Sequence, residues 1–112
     1  MGSARFKRAS ESDHQDEISK LTLLLVGMAE RIRGDNTLLS TVLKRQLLST
    51  IDTIRMELSA PYVDVLAVNS KNGILRRVGE AIVKSVGNQL ISELISNVTD
   101  QVGAFISRLF NS

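Results

Sequence analysis

Side-chain catalysis needs reactive groups that converge, and this sequence is sparing with them. Its single histidine, His14, has the chemistry of a general base or a metal ligand. Its place at the polar edge of an amphipathic stretch, however, is that of a solvated residue at a helix start. Asp13, Asp16 and Glu17 cluster beside it, where acidic groups are favoured by the helix dipole alone. Farther along the chain, Glu30, Asp35, Asp52, Glu57, Asp64, Glu80, Glu93 and Asp100 are scattered and form no Glu-x-x-His or Asp-x-Asp ligand pattern. No serine stands in a G-x-S-x-G turn, and neither a G-x-G-x-x-G turn nor a phosphate-binding loop occurs. Cysteine is absent, which excludes thiol nucleophiles, thiolate metal sites and disulfides together. The expectation is a protein with no catalytic residue, no metal and no cofactor.

Binding is the chemistry that remains. Basic residues fall at Arg5, Lys7 and Arg8, at Arg31 and Arg33, at Lys44 and Arg45, and at Arg76 and Arg77. A net charge of +2 over 112 residues is too small to imply a nucleic-acid partner, so only clustering on one face would matter. Nucleic-acid contacts at Arg5, Lys7, Arg8, Lys44, Arg45, Arg76 and Arg77 are therefore an alternative reading. A sequence 43% hydrophobic but only 4% aromatic, with no Trp, must build its core from Leu, Ile and Val, which suits helices packed on helices. There is neither a run of about 20 apolar residues to span a membrane nor an apolar leader after Arg5, Lys7 and Arg8. A cytoplasmic location is the default expectation.

The elements that would position these groups read as all-α: a compact bundle of four helices over about 13–33, 37–59, 74–86 and 88–110. Residues 1–12 read as a flexible polar tail and 13–112 as one helical domain. Ile18, Leu21, Leu24, Leu25, Met28 and Ile32 recur at three- and four-residue steps, which marks the first helix. Gly34 should stop it, with Asp35 or Asn36 capping the next. In the second, Leu39, Val42, Leu43, Leu47, Ile51, Ile54 and Leu58 share a broad face, and Pro61 cannot continue it.

Residues 61–68 suit a short helix better than a strand, although Val63, Val65 and Ala67 alternate. Asn69 to Gly73 could turn such a strand into a hairpin with 74–78, but a lone hairpin on a helical protein has little to pair with. The apolar stripe of the last third changes sides near Gly87-Asn88, so a break is expected there.

Apolar residues exceed what one small core needs. Leu23, Val26, Leu38, Leu48 and Met56 fall on faces that should be wet, and the last helix is apolar over much of its surface. Surplus of this kind points to burial against a partner. The expectation is a non-enzymatic interaction protein that self-associates, as a dimer or larger, and presents a protein-binding surface. Gly79, Val83 and Gly87 would allow close approach, and Leu90, Leu94, Val98, Val102 and Phe105 would supply the apolar area. Association with a membrane surface through the C-terminal helix is a second alternative, although that helix carries one Arg and no Lys.

Overall fold

The computed structural model describes residues 5–9, 12–35, 40–85 and 89–111. Along the chain these form β1 (Phe6–Arg8), α1 (Ser12–Gly34), α2 (Thr41–Leu58), β2 (Tyr62–Asp64), α3 (Val65–Ser85) and α4 (Gln89–Phe110). The four expected helices are present, packed as a bundle in which α2 lies against α1 and α3, and α4 against α3 and α1.

Local chemistry sets the boundaries. α1 ends at Gly34, and α2 is capped by Ser40 in place of the expected Asp35 or Asn36. The Ser40 hydroxyl accepts from the Leu43 N–H at 3.1 Å, from an extended backbone at φ −67° and ψ 157°; Asn36 is outside the described residues. α2 closes when the Ser59 N–H returns to the Arg55 carbonyl at 3.1 Å and the Ala60 N–H to Glu57 at 3.3 Å. Pro61 has no N–H to carry the helix further.

Beyond Pro61 the chain departs from the expected short helix over 61–68. Tyr62–Asp64 is extended, and its partner is the segment expected to be a flexible tail, not residues 74–78. Phe6 pairs with Asp64, Lys7 with Val63 and Arg8 with Tyr62 in an antiparallel ribbon. The Val65 N–H donates to the Arg5 carbonyl at 2.7 Å, and the Ala9 N–H to the Pro61 carbonyl at 3.1 Å. One face of the ribbon, carrying Val63, turns into the core. The other presents Phe6 and Tyr62, which stand diagonally across the strands. Ala9 is fully buried, and Gln15 of α1 donates to its carbonyl, which ties the ribbon to the bundle.

α3 begins at Val65, not at 74, because Asp64 caps it: the carboxylate accepts from the Ala67 N–H at 3.1 Å. Asn69 to Gly73, which look like turn residues, are therefore helical. Asn72 is buried against α4, where its amide donates to the Thr99 carbonyl at 2.9 Å. The chain reverses between α3 and α4, as the pairs Asn72/Thr99 and Gly79/Ile95 show by running in opposite directions. The expected break at Gly87-Asn88 falls in this interval, outside the described residues.

The core joins Leu25, Met28 and Ile32 of α1, Leu47, Ile51, Ile54 and Leu58 of α2, Leu75 and Ile82 of α3, and Ile95, Phe105 and Leu109 of α4. The helical stripes expected from α1 and the centre of α2 thus face inward. Val42, at the edge of its stripe, does not. No described helix is long and apolar enough to cross a membrane.

Candidate functional site

The last helix spends its apolar face inside the chain. Val98, Val102 and Phe105, expected at an interface, are fully buried in the bundle core, and Leu94 packs half-buried against it. The Phe105 ring meets His14 edge-on, with centroids 6.0 Å apart. His14 is thus half-buried on an aromatic ring instead of solvated. Gly79 does permit a close approach, but of α4 from the same chain: a Cβ there would stand 2.8 Å from Ile95 Cγ2. Of the expected interface, Leu90 alone is strongly exposed, at 70%. Gly87 and the side chain of Val83 lie outside the described residues.

The candidate nucleic-acid contacts are dispersed. Arg5, Lys7 and Arg8 belong to the ribbon, whereas Lys44 and Arg45 lie in the first turns of α2, at the opposite end of a body 48 Å long. Arg76 is paired with Asp100 of α4, while Arg77 is exposed on α3. No single face gathers the seven, and a track along phosphates needs one that does.

Exposed apolar groups gather instead at a place that the sequence does not single out. The ribbon, the end of α2, the start of α3 and the end of α4 meet at one end of the bundle. Phe6, Met56, Tyr62, Leu66 and Phe110 are all there, each between 47% and 66% exposed. Three of the four aromatic residues of the chain are in this group. Met56 belongs to the surplus visible in the sequence, whereas Phe6 lies in the segment expected to be a tail. The one available signal was the position of Phe6 amid Arg5, Lys7 and Arg8, since an aromatic among cations stays put only when something holds it.

Charges hold it here. The Arg5 guanidinium lies 5.4 Å from the centre of the Phe6 ring, and the Lys7 ammonium 5.6 Å from that of Phe110. Arg5 also forms a two-point pair with the nearly buried Asp64, Nε to Oδ1 and Nη2 to Oδ2, both at 2.8 Å. That guanidinium holds the Asp64 carboxyl below the usual carboxylate range. The Ala67 N–H adds to the effect, and desolvation opposes it. Arg5 is raised in turn, by its hydrogen bond to Asp64. Asp64 therefore pairs the ribbon, caps α3 and anchors Arg5 together.

The pair makes stability depend on pH. The folded carboxyl titrates below the unfolded one, so its contribution to stability is complete above about pH 4. It is lost as pH falls through the lowered folded value. Urea unfolding of Asp64→Asn should show a shallower loss of stability in acid than the parent chain does. An unchanged acid slope would count against the pair.

Among the described residues no group of three or more His, Asp or Glu side chains could hold a metal ion. The ribbon end offers apolar area framed by internally paired charge, which is binding chemistry. No family model, no curated protein and no solved structure matches the chain.

Proposed function

We infer that this chain is a non-enzymatic helical interaction protein that self-associates and presents a protein-binding surface, with the ribbon end as its first contact. One observation carries the reading: of the eight strongly exposed large apolar residues among those described, five, Phe6, Met56, Tyr62, Leu66 and Phe110, lie at that end. Single exposed apolar residues are ordinary, but a concentration of them at one place is an interaction surface. The charges beside them favour a second copy as occupant. Arg5 is satisfied by Asp64 and Arg108 by Glu17, the latter at 2.7 Å. Two such ends can therefore meet about a two-fold axis with Arg5 and Arg108 already neutralised, leaving the Lys7 ammonium, seated over the Phe110 ring, as the charge that the pairing must keep apart. Burial there yields about 25 cal/mol per Å² of apolar surface.

Light scattering tests it. The chain should run at about twice its 12.3 kDa, and the double substitution Phe6→Asp and Tyr62→Asp should return it to one chain with its helical circular dichroism intact. A parent chain that is monomeric at high micromolar concentration removes the reading. Membrane-surface association through α4 is the less favoured reading, since most of the apolar stripe of that helix packs in the core.

A further inference from the structure

We propose that the seam between α3 and α4 holds a binding site for a small polyhydroxylated molecule, a monosaccharide or a sugar alcohol, in a polar cleft at Asn72. The site uses none of the residues assigned to the ribbon contact and does not depend on self-association.

The cleft has a volume of about 440 Å³. A water molecule takes roughly 30 Å³ of the liquid, so this space suits a guest of several heavy atoms. Asn69, Asn72, Gly73 and Arg76 line it from α3, and Asp100, Gly103 and Ser107 from α4. None of these residues has an apolar side chain. Asn72, at the floor, is only 6% exposed. Its amide nitrogen donates to the Thr99 carbonyl at 2.9 Å, but its buried Oδ1 accepts from no described group. A buried acceptor without a donor costs stability, and the helical N–H groups around it are spent on their own ladders. The donor therefore has to come from what fills the cleft.

Two glycines point the same way. Inside a helix glycine is less stable than alanine. Gly79 has a reason to be there, because Ile95 of α4 packs against it. Gly73 and Gly103 have no such reason. A Cβ at Gly73 would meet nothing within 4 Å, and one at Gly103 would meet the Asn72 amide nitrogen at an ordinary 3.7 Å. Yet the two flank one cleft from facing helices. Their missing side chains keep open an approach to Asn72 that two methyl groups would narrow.

Charge and hydrogen bonding select the class of guest. Arg76 and Asp100 are paired across the cleft, which leaves it without net charge. Glu80, one turn along α3, lines the next hollow beside Arg76 and turns anions away. What remains is hydrogen bonding in both senses. Arg76 and the Asn69 amide donate, Asp100 and the Asn72 Oδ1 accept, and Ser107 does both. A hydroxyl also donates and accepts, so a ring of hydroxyls meets this mixture without breaking the ion pair. Its C–H face can rest on the bare backbone of the two glycines.

Titrations followed by amide NMR test the site. D-glucose and myo-inositol should each shift the signals of Asn72, Gly73, Asp100 and Gly103 to saturation, whereas ammonium chloride and sodium phosphate should leave them in place. Asn69→Ala with Ser107→Ala, both exposed positions, should weaken binding by about tenfold, as the loss of two net hydrogen bonds does. Gly73→Ala with Gly103→Ala should abolish binding while raising the urea midpoint, so that a loss of binding there is no loss of fold. Saturation by neither polyol overturns the site and leaves the cleft to water. Undiminished binding in the alanine pair also overturns it, as does saturation by ammonium or phosphate in place of the polyols.

Discussion

Phe105→Ala is expected to lower the free energy of unfolding by about 3–5 kcal/mol, as large-to-small changes at buried aromatic positions do. Phe105 is the largest of the fully buried side chains, and removing its ring also deprives His14 of its edge-on partner. That is a large share of the roughly 5–15 kcal/mol that holds a small domain together. The outcome separates two roles for α4. A core role predicts a lower urea midpoint with the mass of the folded fraction unchanged. An interface role predicts a lower mass with the midpoint of the single chain nearly unmoved.

Deleting residues 1–9 should cost on the order of 2–4 kcal/mol. The strand Phe6–Arg8 covers Val63, whose full burial is worth about 1.5–3 kcal/mol, and each ladder hydrogen bond adds about 1 kcal/mol net. Asp64 would also lose Arg5, although it would keep its hold on the Ala67 N–H. Were the segment a loose polar tail, the truncated chain would unfold at the parent's urea concentration. Faster amide exchange at Val63 would locate the loss in the ribbon.

The part of the fold legible in the sequence is the part that periodicity can report. The stripe from Ile18 to Ile32 faces inward because a three-to-four spacing of Leu, Ile and Met has one stable disposition in a bundle. The ribbon is not legible. Three residues with two cations have no strand signature of their own, and β1 is extended only because β2, far along the chain, pairs with it. The start of α3 is misplaced in the sequence for a related reason. Asn69 to Gly73 has the local chemistry of a turn, but Asp64 has already started the helix and Asn72 finds a partner in α4. Tertiary contacts of this kind override propensity.

The candidate site is half legible. The surplus of apolar residues is visible in the sequence, and Leu23 and Met56 are indeed exposed, whereas Val98, Val102 and Phe105, expected at an interface on the last helix, are spent on the core. The most apolar helix has the best claim to the core, so most of the exposed residues stand near the ends of elements, where a stripe runs out, with Leu23 in the middle of α1 as the exception.

The seam between α3 and α4 works as a lock with two pins. Asn72 fixes position along the axis through its bond to the Thr99 carbonyl, and Gly79, nestled against Ile95, fixes how near the two helices lie. Sliding one helix by a turn would carry the carbonyl about 5.4 Å from the amide, stranding a buried donor, and would bring a full side chain to the place where only hydrogen fits. Neighbouring alignments are thereby excluded, and this hairpin has one way to close.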